Sequence, residues 1–253
     1  MTQRRVRVQA SDRIAGIGAG LTLPEGGHWR PRWIVEKYAD AEAYRHGRPD
    51  EVLEVLGNKL LDEGIDELFD LLCGAAATAY SNANAYIGVG DGGLTAISGT
   101  SVTFTNGSAT VTGDGTSFSS QLAAGDWIQL DADGVLYRVE SIEGNESLTL
   151  EHVYAETGGT GAGSFLSPTE TGLAAASNKL YQGMDDGYPT SGSDQKATWR
   201  ATFGASEANF QWNEITVANG DSDSADNLNR LVQNVGTKAS PGVWTVSLEV
   251  SLY

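Results

Sequence analysis

The 253-residue sequence contains one cysteine, six prolines and no long apolar run. The single cysteine, Cys73, excludes an internal disulfide framework and a cysteine-rich zinc site. Six prolines against 32 glycines predict many turns rather than a low-complexity chain. No segment approaches the roughly 18 consecutive apolar residues of a membrane span, and residues 1–10 lack the apolar stretch of a signal peptide. We therefore expect no membrane anchor and no signal peptide, and we expect packing or assembly to supply the stability.

Basic residues are scarce and unevenly distributed. Sixteen Lys and Arg against 33 Asp and Glu give a net charge of −17, which disfavours binding to nucleic acid or to an anionic membrane surface. Residues 1–59 carry ten of the sixteen basic residues and a net charge of +2, whereas the remainder carries −19. Residues 1–32 hold six arginines and a Gly-rich stretch that disfavours a helix. They predict an extended basic arm over 1–32, with a frayed terminus as the alternative.

This arm is the candidate interface of the sequence. Its arginines are expected to dock onto an acidic neighbour, which further copies of the chain would themselves supply. Aromatic and arginine side chains are the usual anchors of protein interfaces. The candidate interface residues are Arg4, Arg5, Arg7, Arg13, Trp29, Arg30, Arg32 and Trp33.

One helix is predicted over residues 58–73. Asn58 is a candidate N-cap, Gly74 supplies the stop, and one apolar stripe is formed by Leu61, Ile65, Leu68 and Leu72. A helix with a single apolar stripe covers a sheet or packs in an oligomer. Cys73 ends the stripe and is expected to be a small buried residue.

Period-two alternation dominates the rest of the chain. Turn pairs such as Asn106-Gly107 and Asp133-Gly134 separate the predicted strands and suggest hairpins with type I′ turns. The clearest strand is the C-terminal one, in which Trp244 and every second residue after it are apolar. Two further segments, one ending at Gly183 and one over Asp221–Gly236, are candidate short helices, the second with a loop leading to a strand as the alternative. The fold class is mainly β, with a β-sandwich core and one or two covering helices.

No pattern indicates catalysis, a cofactor or a metal centre. Gly88–Gly93 satisfies G-x-G-x-x-G, but strand-like residues follow where a dinucleotide fingerprint needs a helix, so a Gly-rich turn is the better interpretation. His28, His46 and His152 lie in no recognisable triad or zinc spacing. We therefore expect no enzyme activity and no cofactor. Calcium in an acidic loop and a glycan platform of exposed aromatic rings remain alternatives. The acidic loops are Asp185-Asp186, Asp131/Asp133 and Asp221/Asp223/Asp226, and the rings are Trp127, Tyr137, Trp199, Phe203, Trp212 and Trp244.

Several blocks of the sequence resemble a family of structural proteins from tailed bacteriophages and prophages. The similar blocks are LGNKLLDEGIDELFDLLCG, NANAYIGVGDG, TGLAAASNKLYQGMDDGYPT, ATWRATFGASEANFQWNEITVANG and LNRLVQNVGTKASPGVWTVSLEVSLY. They cover about residues 50–93 and 167–253, and the last two are also similar to collar-type domains of phage tail fibres. Residues 94–166 are similar to a small β module of phage fibre and other virion proteins. The resemblance implies an inserted domain over 94–166 within a β-sandwich core of 33–93 and 167–253.

The resemblance implies a structural role in a virion assembled in the bacterial cytoplasm. The expected function is a capsid-decorating protein that binds the outer head surface through its N-terminal arm and forms a homo-oligomer. Its partners would be capsid or tail subunits, with no nucleic acid and no membrane. The alternatives are a tail, collar or fibre-adaptor protein, or a module that binds host surface glycan.

Overall fold

The structure, a computed structural model, describes residues 4–9, 29–57, 59–167, 171–192 and 194–252. These residues are mainly β, as predicted, and they form two compact units. Unit 1 comprises the described residues of 4–9, 29–93 and 171–252, and unit 2 comprises 94–167. The sequence placed the boundaries between the two units at 93/94 and 166/167, whereas in the structure the second boundary lies between residues 167 and 171. None of the helices in the described residues has the length and apolar character that a membrane crossing requires.

The elements are named in chain order. The first part of the chain contains β1 Arg4–Gln9, β2 Trp29–Tyr38, α1 Ala41–Arg45, β3 Glu51–Leu56, β4 Lys59–Leu60, α2 Asp62–Cys73 and β5 Tyr86–Gly90. The middle contains β6 Thr95–Ala96, β7 Ser101–Thr105, β8 Thr110–Asp114, α3 Phe118–Gln121, β9 Trp127–Leu130, β10 Tyr137–Gly144, β11 Ser147–Leu150, β12 Gly158–Gly161 and β13 Gly163–Leu166. The last part contains β14 Lys179–Gly183, β15 Thr190–Ser191, β16 Lys196–Phe203, β17 Gln211–Ala218, β18 Asn227–Thr237 and β19 Val243–Leu252.

Unit 1 is built from two sheets that share one core. The first sheet has the order β1-β3-β2-β19-β16-β15, and the second has the order β14-β5-β17-β18-β4. Alternate residues of both sheets, such as Val35 and Leu248 from the first and Ile87 and Val217 from the second, are fully buried in the same cluster. Residues with period two therefore meet face to face, which is the packing of a β-sandwich.

The C-terminal strand β19 lies in the middle of the first sheet, between β2 and β16. Its predicted apolar side is buried, from Trp244 through Val246 and Leu248 to Val250. Trp244 also packs edge-on against Trp212, with ring centroids 4.8 Å apart. The alternation read from the sequence thus identified the strand and the face that it buries.

Helix α2 differs from its prediction in where it begins and what it buries. It begins at Asp62, with Leu61 at the N-cap and no side-chain cap, and Gly74 ends it in the left-handed conformation. Asn58 lies outside the described residues. Within the helix only Gly64 is fully buried. It packs so closely on β18 that a Cβ at this position would lie 2.5 Å from Leu228 Cα. Close contact at Gly64 holds the first half of the helix on the sheet, and the last five residues are exposed.

A Gly64→Ala substitution is expected to lower the free energy of unfolding of unit 1 by about 1–3 kcal/mol. The added methyl would meet the backbone of Leu228 and Asn227, which cannot move aside like a flexible side chain. Urea denaturation followed by tryptophan fluorescence measures the effect. Gly93→Ala is the matched control, because nothing lies within 4 Å of a Cβ there and little change is expected. Equal stabilities of the two variants would contradict this packing of α2.

Two local predictions are wrong, and for a third segment the alternative is confirmed. The segment ending at Gly183 ends in strand β14 rather than in a helix, whereas Asp221–Gly236 contains a loop that leads to strand β18, which was the alternative to a helix. Asn106-Gly107 lies between the paired strands β7 and β8, and Asp133-Gly134 lies between the paired strands β9 and β10. In both pairs only the glycine has a positive φ. Type I′ turns need positive φ at both residues, so the longer connections between these strands use other turn geometries.

Unit 2 is one sheet of eight strands, in the order β12-β7-β8-β11-β10-β9-β13-β6. The strand pairings of its described residues are all antiparallel, and alternate residues surround a separate core that contains Phe104, Phe118 and Ile128. Tyr154 is fully buried between Phe104 and Tyr137, with ring centroids 5.0 and 4.9 Å away. Unit 2 therefore has the buried aromatic centre of a small independent β domain.

Candidate assembly surfaces

The C-terminal half of α2 presents apolar side chains to solvent. Leu72 is 80% exposed and Phe69 is 61% exposed, and the neighbouring Leu71 and Cys73 are exposed as well. We call these four residues the α2 patch. The sequence predicted Leu72 and Cys73 to be buried, and both predictions are wrong because the packing of the helix against the core ends at the partly buried Leu68. Neighbouring exposed apolar residues of this size on a folded protein commonly mark an interaction site.

An apolar groove lies beside the same helix in unit 1. It has a volume of about 370 Å³ and is lined by Leu68 of α2, Trp199 of β16, Leu228 of β18 and Val250 of β19. Leu72 follows Leu68 by one helical turn, so the two side chains lie on the same side of α2. The α2 patch therefore begins directly after the helical residue that lines the groove.

Helix α2, which carries the patch, is acidic. Helix α2 carries five carboxylates and no basic residue, and Asp62, Asp66 and Asp70 are exposed. Glu63 is partly buried and accepts a hydrogen bond of 2.7 Å from the backbone N–H of Asn227. Burial raises the pKa of Glu63, and the carboxylate of Asp226 adds to the rise. The surface therefore favours an apolar partner whose rim carries Lys or Arg.

A Glu63→Gln substitution is expected to stabilise unit 1 increasingly as the pH rises above the ordinary pKa of a glutamate, about 4.3. The pKa of Glu63 is higher in the folded than in the unfolded chain, so the folded chain binds more protons between the two values. Stability of the parent protein is consequently lost as the pH rises through that window. Glutamine keeps an oxygen that can accept from Asn227 without bearing the charge. The difference in urea midpoint between variant and parent measures the effect.

Asp66→Asn is the matched control for this pH series. It removes one exposed carboxylate from the same helix without affecting a contact to Asn227. A pH-dependent difference of the same size in both variants would show that net charge, rather than burial of Glu63, is responsible.

A buried ion pair lies on the second sheet of unit 1. Arg230 of β18 and Glu214 of β17 are 1% and 0% exposed, and Arg230 Nη2 lies 2.8 Å from Glu214 Oε2. The same carboxylate accepts hydrogen bonds from the backbone N–H groups of Ala174 and Ala175, at 3.0 and 2.8 Å. Arg230 also donates to the carbonyl oxygen of Gly93 at 2.9 Å. The pair thus fixes residues 93 and 174–175, which flank the points where the chain leaves and re-enters unit 1.

Two glycines of the G-x-G-x-x-G pattern make room for side chains of the second sheet. Gly88 and Gly90 lie within strand β5, not in a turn between strands as predicted. A Cβ at Gly90 would lie 2.6 Å from Glu214 Oε1, and one at Gly88 would meet the Tyr181 ring at 2.7 Å. These glycines therefore leave room for a buried carboxylate and a tyrosine ring, which is a packing role.

Charged side chains form a ladder across the first sheet. Arg32 of β2 lies 3.0 Å from Glu54 of β3 and 3.1 Å from Glu249 of β19, and Lys196 of β16 lies 3.7 Å from Glu249. Arg7 of β1 occupies the register position beside Glu54. Basic and acidic residues therefore alternate from β1 to β16 across this sheet.

The structure brings the predicted interface residues into the first sheet rather than into one free arm. Arg4, Arg5 and Arg7 belong to β1, which pairs with β3, while Trp29 and Arg30 begin β2. Arg30 is exposed and Arg32 bridges two glutamates of its own sheet. Arg13 lies outside the described residues. Trp33 is 0% exposed, so its assignment as an interface anchor is wrong: alternation in β2 directs it into the core.

The other candidate chemistries find little support in the described residues. Four of the six rings proposed as a glycan platform are buried, since Tyr137, Phe203, Trp212 and Trp244 are at most 7% exposed. Trp199 and Trp127 are partly exposed. No group of three or more His, Cys, Asp or Glu side chains in the described part of the chain is arranged to hold a metal ion. Asp185 contacts Arg200, and Asp223 contacts Lys179, so these carboxylates have protein partners.

Comparison of the chain with protein-family models, curated proteins and solved structures finds no match.

Proposed function

We propose that the protein is a non-enzymatic structural component of a tailed-phage virion and decorates the outer surface of the head. The phage assignment rests on the resemblance of residues 50–93 and 167–253. The observation that carries an assembly role is the α2 patch, because Leu72 and Phe69 are exposed beside an apolar groove of the same unit. Burial of such side chains against a partner is the usual source of affinity in a stable interface.

We assign the contact with the head to the α2 patch. The sequence suggested the N-terminal arm, but residues 4–9 of that arm pair with β3 in the first sheet. Their backbone forms the strand pairing with β3, whereas the side chains of the α2 patch are exposed to solvent. The partner is a head subunit with an apolar surface and a basic rim, which complements the carboxylates of Asp62, Asp66 and Asp70.

A second copy of the chain fits the α2 patch poorly. Two α2 helices packed patch to patch would bring ten carboxylates together without a basic residue on either helix. Like charges opposed across an interface cost several kcal/mol. The contact made by this patch is therefore assigned to a different subunit.

Fractionation of particles tests the proposed location. Phage particles that carry the gene are separated into heads and tails on density gradients and probed with antibody raised against the purified chain. We expect the chain in the head fraction at many copies per particle. Its presence only in the tail fraction would overturn decoration of the head and favour a tail, collar or fibre-adaptor role. Its absence from both fractions would overturn the virion assignment.

A Leu72→Ser variant tests the α2 patch. Leu72 is 80% exposed, so the substitution is expected to leave the fold intact and to weaken binding to purified heads that lack the protein by at least tenfold. Val153→Ser is the matched control, because Val153 is a 57% exposed apolar residue of unit 2 and is assigned no contact. Unchanged binding of Leu72→Ser, or equal weakening by both variants, would contradict this interface. Co-sedimentation with the heads is the measurement.

A further inference from the structure

We propose that strand β1 is exchanged between copies, so that residues 4–9 of one copy pair with β3 of a second copy. This interface joins identical chains and is separate from the α2 patch. It would operate whether or not the partner of the α2 patch is a phage head.

Strand β1 occupies an edge of the first sheet. Among the described strands it pairs only with β3, in parallel register from Arg4 beside Glu51 to Gln9 beside Leu56. Without β1, strand β3 would present a row of unpaired N–H and C=O groups. An edge of this kind accepts an added strand of matching register, from the same chain or from another.

The register specifies what the added strand must carry. Val6 and Val8 lie beside Leu53 and Val55, which are 5% and 0% exposed. Arg4 and Arg7 lie beside Glu51 and Glu54. An occupant with the sequence RRVRVQ therefore matches β3 in both apolar and charged positions, whichever copy provides it.

The connection from β1 to β2 is far longer than pairing within one chain requires. Gln9 and Arg32 both occupy register positions beside Leu56, on opposite sides of β3, so they are about 10 Å apart, or two strand spacings. Nineteen residues, 10–28, separate the two strands, five of them glycine. A chain of this length can reach about 60 Å when extended. Connections in compact domains usually have about 4–6 residues.

The path of the chain also favours a neighbouring copy. Strand β3 lies between β1 and β2 and leaves the sheet after Leu56, at the same end where β1 finishes and β2 begins. A connection within one chain would therefore have to pass around the exit of β3 at Gly57. Connections at one end of a sheet rarely cross in this way. A β1 strand from a second copy can occupy the same edge without this crossing.

Charge does not distinguish the two arrangements. After exchange every β3 still carries one β1 strand with its three arginines, so the net charge of each copy is unchanged. Exchange also preserves every contact of the pairing within one chain, so the preference depends on the local concentration of copies, which assembly on a particle raises.

Engineered cysteines distinguish exchange from pairing within one chain. The variant Arg7→Cys/Glu54→Cys, prepared with Cys73→Ser, places two thiols at adjacent register positions, where neighbouring strands suit a disulfide. Mild oxidation of exchanged copies gives covalent dimers or larger species on a non-reducing gel, in a proportion that rises with protein concentration. Internal disulfides alone at every concentration, or no disulfide at all, would overturn the proposal. Lys196→Cys/Ser251→Cys in the same background is the control and is expected to give internal disulfides, because β16 and β19 pair within one chain.

Light scattering gives a second readout that needs no disulfide. The full chain is expected to form oligomers, and deletion of residues 1–9 is expected to leave folded monomers. A full chain that is monomeric at all concentrations, or a deletion variant that keeps the same oligomeric state, would overturn exchange. Either light-scattering result would leave the α2 interface and the location on the head unaffected. Absence of the chain from phage particles would overturn the α2 interface and the location on the head, and would leave the proposed strand exchange unaffected.

Discussion

Replacement of Arg230 by methionine is expected to lower the free energy of unfolding of unit 1 by about 3–5 kcal/mol. The substitution leaves the Glu214 carboxylate at 0% exposure without its cationic partner, and an uncompensated buried charge has a cost of this size. The Gly93 carbonyl also loses the hydrogen bond that Arg230 donates. Urea denaturation followed by tryptophan fluorescence suits this measurement, because five of the six tryptophans belong to unit 1. Trp127→Phe in all samples removes the signal of unit 2.

The double variant Glu214→Gln/Arg230→Met isolates the contribution of the charge. It should be more stable than the sum of the two single effects predicts, because no buried charge remains and the glutamine oxygen can still accept from Ala174 or Ala175. Arg32→Met is the matched control, since Arg32 is 41% exposed and ion pairs at the surface contribute about 1 kcal/mol or less. A loss below about 1 kcal/mol in Arg230→Met would contradict burial of the pair.

A Trp33→Ala substitution is expected to destabilise unit 1 by about 3–5 kcal/mol. Trp33 is fully buried in the core that both sheets share, so truncation removes apolar contacts and leaves a cavity. Trp33→Phe should cost much less, because an aromatic ring remains. It also removes an indole N–H that is buried and has no hydrogen-bond partner in the described part of the chain.

The same pair of variants decides between a core residue and an interface anchor. Binding to heads should be unchanged in Trp33→Phe and should change in Trp33→Ala only as far as the fold is lost. A Trp33→Ala protein of parental stability that fails to bind would restore the interface assignment suggested by the sequence.

Period-two patterns predicted well which segments of this protein form strands. They predicted poorly which sides of those strands are buried. Strand β19 alternates cleanly because one side meets the core and the other meets solvent or neighbouring polar groups. In β18 the residues from Asn227 to Leu231 are all buried, because Leu228 and Leu231 both belong to the shared core and Arg230 is buried in its ion pair with Glu214. The register of β17 and β18 also shifts twice, between Trp212 and Glu214 and between Val217 and Ala218, which breaks the alternation. Leu228, Leu231 and Val235 consequently have helix-like spacing in a strand.

The candidate surfaces could be predicted only in part, because they depend on contacts distant in sequence. The stripe from Leu61 to Leu72 identifies α2, but its packing against the core ends at Leu68, and the spacing of the stripe does not show where that packing ends. The basic N-terminal residues were found from charge alone, whereas their place beside β3 depends on strand pairing. Glu214 and Arg230 carry no motif, and only the glycines of β5 hint that space is needed there.

A cryo-electron-microscopy map of the intact particle tests the central proposal most directly. We expect density for unit 1 on the outer face of the head, with Phe69 and Leu72 of α2 against a shell subunit and residues 4–9 of each copy beside β3 of a neighbour. Particles without this chain, or a bound chain whose α2 patch faces solvent, would contradict the role proposed for it.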